Sequence, residues 1–133
     1  MPQDMTVEKV VGGNQFITAT DAGYWSGTFN GESYDFCYAE IHNTGYTWSR
    51  CTVSFESVTV DGRTGGLEMD VLLWLPDWFD PGAVWDGTWV ITGGSGDLAG
   101  LHGQGSMIGP GFKGPPNCGE IDYSGQYHFD PNQ

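Results

Sequence analysis

Residues 85–105 read WDGTWVITGGSGDLAGLHGQG, and this stretch decides how the chain folds. Its first part, residues 88–92, has the β-branched and aromatic composition of a strand, and a second strand starts at Leu101 after a glycine-rich break at residues 93–96. We expect Asp97 to cap a single helical turn between the two strands. A phosphate-binding loop would need a lysine and a longer helix after the glycines, so the stretch predicts a sheet corner instead.

The composition of the whole chain favours an all-β domain. Its 133 residues include 38% hydrophobic and 14% aromatic residues with 22 glycines, and no window of helical length has a continuous apolar stripe. One domain is expected over residues 1–133, with the sheet over about residues 5–129. A long antiparallel sheet that leaves no exposed edge closes on itself. We therefore predict a single closed eight-stranded antiparallel up-and-down β-barrel, with a two-sheet sandwich as the alternative.

Alternating residues outline the predicted strands, and glycine-containing pairs mark the turns between them. Turns are expected at residues 21–23 and at the hairpin pairs 30–31 and 61–62. Residues 42–50 are expected to form a connection, and residues 76–86 form an apolar loop because their prolines and glycine do not suit a sheet interior. Nine strand segments, which make eight or nine strands, are predicted at residues 5–10, 15–20, 24–30, 32–41, 51–60, 66–75, 88–92, 101–108 and 120–129.

The charge of the chain excludes two classes of partner. Seventeen acidic residues against four lysines and arginines give a formal net charge of −13, which repels phosphate backbones and anionic lipid surfaces. We expect no nucleic-acid partner and no membrane partner, since no apolar run approaches the length of a membrane span. Residues 1–10 lack the basic region and apolar core of a signal peptide. The expected location is cytoplasmic, with secretion after removal of a signal left open.

The cysteines and histidines do not have the spacing of a metal site. Cys37 and Cys51 lie on consecutive predicted strands, equidistant from a connection centred near Thr44, so they can face each other as a disulfide or as two buried thiols. Cys118 lies in a loop rich in proline and glycine. No Cys/His pattern indicates zinc, and we expect no metal and no cofactor.

One predicted strand carries candidate catalytic groups. Tyr34, Phe36, Tyr38 and Glu40 share a face of the strand over residues 32–41. If that face points inward, Glu40 becomes a buried carboxyl that acts as general acid or base, and Tyr34 and Tyr38 donate to a developing oxyanion. The alternative is an aromatic core stripe with Glu40 in water at the rim.

The apolar loop over residues 76–86 has two interpretations. It is either a lid over a ligand cavity or a plug that closes one end of the barrel. Its acids, Asp77, Asp80 and Asp86, fit no known calcium loop and are interpreted as solvated. Aromatic residues of the loop and of the strands are the candidate ligand contacts. They are Trp25, Phe36, Trp78, Phe79, Trp85, Trp89, Tyr123 and Tyr127.

The corner pattern W-x-I-x-G-x-S-G-D-L-A-G-L-x-G-x-G over residues 89–105 resembles a family of small bacterial proteins with an allene oxide cyclase-like barrel. The sequence YSGQYHF over residues 123–129 fits the last strand of that family, and the 62–66 hairpin fits as well. The resemblance implies a calycin-like eight-stranded barrel whose cavity opens at one end. The plant cyclases and dirigent proteins that share this shape act on apolar intermediates inside the cavity. None of their catalytic residues can be placed in this chain.

Three functions are compatible with such a cavity. The first is a cofactor-independent small-molecule isomerase or cyclase, which holds an apolar substrate in a reactive conformation. The alternative is a non-catalytic carrier of an apolar or aromatic ligand. The third is an interaction domain whose barrel is filled by side chains. The sequence does not decide whether the protein is an enzyme. A homodimer is an expected assembly, because barrels of this kind are commonly dimeric.

Overall fold

A computed structural model of the chain describes residues 3–110 and 120–131, with side chains from Met5 onward. Cys118 and the rest of the predicted loop over residues 111–119 lie outside the described residues. Eight strands pair in sequential order as one antiparallel sheet, which confirms the prediction of an all-β up-and-down fold. No helix among the described residues is long and apolar enough to cross a membrane. The strands are β1 (Gln3–Val11), β2 (Asn14–Trp25), β3 (Asn30–Ile41), β4 (Thr47–Val60), β5 (Arg63–Leu75), β6 (Trp85–Gly94), β7 (Leu101–Gly109) and β8 (Asp122–Phe129).

The turns agree with the sequence only in part. The hairpin at Asp61 and Gly62 is confirmed, with both residues at the positive φ values that a type I′ turn requires. The turn predicted at residues 21–23 is wrong, because these residues continue β2. The pair at residues 30–31 is not a turn either, since Gly31 pairs with Trp25 and the reversal lies in between. Gly27 makes that reversal with a φ of 89°.

The predicted connection over residues 42–50 is shorter than expected. Strand β4 begins at Thr47, which is fully buried, and Ser49 is buried two residues later. These polar side chains occupy inward positions, where the Thr47 hydroxyl donates to the Gly45 carbonyl and the Ser49 hydroxyl donates to the Tyr38 carbonyl. Such hydrogen bonds allow hydroxyl groups to be buried. Because the buried residues here are polar, the sequence lacks the alternating hydrophobic pattern that would identify the inward face.

The glycine-rich corner between β6 and β7 is a packed structural element. It contains one turn of 3₁₀ helix, Gly96–Leu98, whose Leu98 side chain is fully buried. Ser95 holds the N-cap position without a side-chain capping bond, so the expected cap by Asp97 is wrong. A Cβ atom on Gly65 would overlap the Ser95 carbonyl, because the corner lies directly on β5. The close approach of two backbones explains the glycine at this position.

The sheet is curled but not closed, so the predicted closed barrel is wrong. Within residues 3–110 and 120–131, β1 pairs only with β2 and β8 only with β7. Strand β1 starts opposite Asp21, which leaves residues 22–25 of β2 beyond its end. Strand β8 reaches this region through Tyr123, whose hydroxyl accepts from the Phe29 amide at 2.9 Å and donates to the Ser26 carbonyl. Strand β8 therefore lies across an open seam from the part of β2 that extends beyond β1.

The core has a large central cluster and two small clusters at the opposite end. Phe29 enters the central cluster from the β2–β3 reversal and packs edge-on against Trp89 at 5.4 Å. At the other end, Trp78 contacts both small clusters, and the buried Trp85 lies in one of them. These positions match the plug interpretation of the apolar loop. Phe79 is 63% exposed and lies outside the core.

Candidate functional site

Two aspartates face each other inside the curled sheet. Asp21 on β2 and Asp35 on β3 are register partners, so their side chains lie on the same face. That face is the inner one. Residues an even number apart on a strand share a face, and Ile17 on β2 and Ala39 on β3, which share the face of Asp21 and Asp35, are buried in the core. Carboxyl groups at directly opposed positions of one sheet repel each other when both are charged. This arrangement is the strongest candidate for a chemically active group in the described residues.

A chain of hydrogen bonds fixes the orientation of the Asp35 carboxyl. The indole Nε1 of Trp25 donates to the Ser33 hydroxyl at 3.1 Å. The Ser33 hydroxyl in turn donates to Oδ1 of Asp35 at 2.8 Å, and the Ser33 side chain is fully buried. With Oδ1 held in this way, the carboxyl has a defined direction, and its second oxygen, Oδ2, lies on the side of Gly23.

The environment of Asp35 raises its proton affinity. Burial is the main cause and raises the pKa of Asp35 from 3.8 to about 6. The hydrogen bond from Ser33 opposes this change by stabilising the carboxylate, and the nearby Asp21 carboxylate adds to it by repulsion. A general acid or base works best when its pKa is close to the working pH. Asp35 therefore meets this condition in weakly acidic to neutral solution.

A cavity of about 810 Å³ lies between strand β8 and the part of β2 that extends beyond β1, and we call it the seam cleft. Residues 22–28 and Glu32 line one side, and Met107 with residues 120–123 lines the other. The rings of Trp25 and Tyr123 lie 4.9 Å apart in its wall. A volume of this size is within the range of small-molecule sites, about 300–1,000 Å³.

Gly23 connects the seam cleft to the buried carboxyl. This residue lines the cleft, and a Cβ atom placed on it would lie 3.1 Å from the Ser33 hydroxyl and 3.5 Å from Oδ2 of Asp35. A side chain at this position would therefore crowd the carboxyl. Glycine leaves Oδ2 of Asp35 next to the wall of the cleft.

The predicted catalytic face points away from the interior, which corrects that expectation. Tyr34 is 54% exposed, Phe36 55% and Tyr38 37%, all on the outer surface of β3. The inner surface belongs to the alternate residues, which include Asp35 and the buried Ala39. Alternation shows which residues share a face, but it does not show which face is covered, and here the smaller side chains fill the interior.

Glu40 lies on the same outer surface as Tyr38. Its carboxylate accepts a hydrogen bond from the Trp48 indole at 3.1 Å and lies 3.4 Å from Nε2 of His42. These contacts lie on the outer surface at the C-terminal end of β3, next to the connection to β4. The position does not give Glu40 access to the seam cleft.

The candidate ligand residues are divided among four places. Trp25 and Tyr123 line the seam cleft. Trp89 and Tyr127 pack in or against the central core, and the Trp89 indole donates to the Ser124 carbonyl at 3.1 Å. The remaining four lie elsewhere: Trp78 and Trp85 are in the plug, and Phe79 and Phe36 are exposed on the surface.

Cys37 and Cys51 form a disulfide, which settles the alternative that the sequence left open. They are register partners on β3 and β4, with Cα atoms 4.1 Å apart. The bridge lies on the inner face, two residues along β3 from Asp35. It joins the strand that carries the candidate acid to the strand at the centre of the core.

The described part of the chain contains no group of three or more His, Cys, Asp or Glu side chains that could hold a metal ion. Two of the loop acids have a structural role. Asp77 accepts from the Phe79 amide at 2.9 Å, and Asp80 accepts from the Gly82 amide at 2.8 Å. Such local bonds stabilise the turns of the loop.

Comparisons with protein-family models, with curated proteins and with solved structures found no significant match to this chain. The likeness of the corner pattern to the allene oxide cyclase-like family therefore remains a prediction.

Proposed function

We propose that the protein binds an apolar or aromatic small molecule in the seam cleft and exchanges a proton with it through Asp35. The reaction class is a proton-transfer isomerisation or cyclisation that uses side chains of this chain. The observation that carries the proposal is the Asp35 carboxyl, which has a pKa of about 6 and lies beside the cleft under Gly23. The outer residues Tyr34, Tyr38 and Glu40 have no part in it.

The shape of the cleft supports binding of a ring-containing ligand. Trp25 and Tyr123 present aromatic surfaces, and Met107 and Ile121 add apolar contacts. The lining also contains the acidic residues Glu32, Glu120 and Asp122, which would orient the ligand through its polar groups. A small-molecule site usually combines apolar surface with such directed polar groups.

The resemblance to the allene oxide cyclase-like family supports the same reaction class. Enzymes with that barrel act on apolar intermediates enclosed by the sheet. In this chain the sheet is open along the seam, so the ligand would enter from the side, between β2 and β8. Entry at this position brings the ligand to Gly23 without displacing the plug formed by Trp78 and Trp85.

Deuterium uptake by a test ketone measures proton transfer without knowledge of the natural substrate. β-Tetralone is a neutral aromatic ketone with exchangeable protons beside its carbonyl group. We expect the wild-type protein to accelerate its exchange in deuterium oxide at pH 7. Loss of a positioned general base should lower the protein-dependent rate by about 100-fold or more in Asp35→Asn.

The matched control is Glu40→Gln, which removes a carboxylate from the outer surface. We expect this variant to exchange β-tetralone at the wild-type rate. An Asp35→Asn protein that is folded and as active as wild type would refute the proposed role of Asp35. Equal loss in the two variants would point to an effect of charge alone.

A carrier without chemistry is the second candidate, favoured by the paired rings of Trp25 and Tyr123 in the cleft wall. The neutral dye N-phenyl-1-naphthylamine tests binding alone, since its fluorescence rises in apolar surroundings. Saturable binding without exchange of β-tetralone would support the carrier. Trp78→Ala should leave dye binding unchanged, because Trp78 packs in the clusters at the opposite end.

The disulfide supports folding in an oxidising compartment rather than in the cytoplasm that the sequence suggested. Structural disulfides such as Cys37–Cys51 persist where glutathione does not keep thiols reduced. Alkylation of acid-quenched cells, followed by mass spectrometry of the protein, tests this directly. Unmodified Cys37 and Cys51 are expected, and full alkylation of both would contradict the proposal.

A further inference from the structure

Three aromatic side chains are exposed side by side on the outer surface of β3, and we call them the outer aromatic row: Tyr34, Phe36 and Tyr38. Because they alternate along one strand, they share one face at intervals of about 7 Å. Single exposed apolar residues are ordinary on a protein surface, but a contiguous group of this kind marks an interaction site. The proposed function makes no use of these three side chains.

Carboxylates lie at both ends of the row. At one end, the Tyr34 hydroxyl donates to Glu32 at 3.3 Å. The negative charges of Glu32 and Glu56 act on the same phenol and raise the pKa of Tyr34. At the other end, Glu40 follows Tyr38 on the same face, where its partly buried carboxylate also accepts from the Trp48 indole and lies next to His42. Arg50, the register partner of Tyr38, lies on this face as well and pairs with Asp70 at 3.5 Å. The row thus combines exposed rings with an excess of negative charge.

The protein already binds a cation on this face with one of its own side chains. The Lys9 ammonium lies over the ring of Phe16, 4.8 Å from its centroid. Phe16 is the register partner of Glu40, so this contact is next to the outer aromatic row on the same side of the sheet. In the described part of the chain, the other cation over a ring is Arg63, 3.9 Å from the centroid of Phe129.

We propose that the outer aromatic row docks an extended basic segment of another protein. Its lysine or arginine side chains lie over the rings, as Lys9 lies over Phe16, and pair with the carboxylates at the two ends. An extended peptide also repeats its side chains on one face about every 7 Å, which matches the spacing of the rings. The surface therefore fits such a segment in charge and in period.

Charge decides between this occupant and the alternatives. A second copy of the chain would bring another net charge of −13 to the surface, and nucleic acid would be repelled for the same reason. A neutral polysaccharide would stack on the rings, but it would gain little from the carboxylates at both ends. A basic segment uses the rings and the charges together.

Fluorescence anisotropy of a labelled arginine–serine repeat peptide tests the proposal. We expect saturable binding that weakens as salt is added, since exposed charges are screened. Replacing both Tyr34 and Phe36 by serine keeps the charge and should weaken binding by about fivefold or more, at about two- to fivefold for each exposed cation–ring contact. The matched control is Ile108→Ser, which removes a side chain of 52% exposure on the outer face of β7 and should change binding less than about twofold.

The outcomes separate the occupants. Unchanged peptide affinity in the folded double variant would show that charge alone attracts the peptide, and it would overturn the proposal. A wild-type dimer in sedimentation velocity that becomes a monomer in the double variant would assign the row to a second copy instead. Binding of soluble dextran or xylan in place of the peptide would assign it to a polysaccharide. Circular dichroism of both variants verifies that the fold is retained.

Discussion

Replacing Asp35 by asparagine should change how stability depends on pH. In the folded protein the Asp35 carboxyl has a pKa of about 6, against 3.8 for an exposed aspartate. Its contribution to the free energy of unfolding is fully present below about pH 3.8 and is lost as the pH rises through about 6. A pKa difference of about two units at about 1.36 kcal/mol each makes this contribution about 3 kcal/mol.

Asparagine keeps the shape of the side chain, and its carbonyl oxygen can accept the hydrogen bond from Ser33. The variant does not bury a charge above pH 6, and the pKa of about 6 already includes the opposing effect of the hydrogen bond from Ser33 to the carboxylate. We expect Asp35→Asn to be more stable than wild type by about 3 kcal/mol at pH 8 and nearly equal to it at pH 4.

Urea unfolding between pH 4 and pH 8, followed by tryptophan fluorescence, measures this difference. Carboxyl groups other than the facing Asp21 affect both proteins alike, so the variant minus wild-type value reports on Asp35 and its repulsion by Asp21. A difference that does not change with pH, or a variant less stable than wild type at pH 8, would refute the assigned environment.

Three further changes have expected outcomes. Asp21→Asn removes the smaller of the two causes that raise the pKa of its partner carboxyl, so the midpoint of the pH dependence should fall but stay above 3.8 in the same urea series. Reduction of the Cys37–Cys51 disulfide, whose cysteines are 14 positions apart, should lower the free energy of unfolding by about 3 kcal/mol, seen as a lower melting temperature in reductant; an unchanged value would mean that the bridge is absent in solution. Gly65→Ala should cost about 1–3 kcal/mol in thermal unfolding, because its methyl group overlaps the corner backbone, whereas the matched Gly93→Ala, with no atom within 4 Å of the new methyl, should stay within about 0.5 kcal/mol.

The order of the strands could be predicted because it depends on local signals. Alternation, the hairpin at Asp61 and Gly62 and the glycine-rich corner each require only neighbouring residues, and all three are confirmed. Closure of the sheet depends instead on how β1 meets β8, at the two ends of the chain. No local pattern contains that information, and the prediction of a closed barrel was wrong.

The candidate site could not be predicted, because it depends on the register of two strands. Asp21 lies in the stretch that was predicted as a turn, and Asp35 lies on the face of β3 opposite the aromatic face that was considered for the interior. Only the continuation of β2 through residues 21–25 brings the two acids opposite each other. The catalytic residues were predicted on the aromatic face of β3 because large rings usually face the interior. Large exposed rings are nevertheless compatible with a surface that binds a partner.

The pKa of Asp35 and its response to a ligand test the central claim most directly. Carbon-detected NMR of the side-chain carboxyl, assigned by comparison with Asp35→Asn, follows protonation of this one group. We predict a titration midpoint near 6 in the free protein and a displaced midpoint when β-tetralone saturates the seam cleft. A midpoint near 4, or one that bound β-tetralone leaves unchanged, would contradict the placement of a proton-exchanging carboxyl beside the cleft.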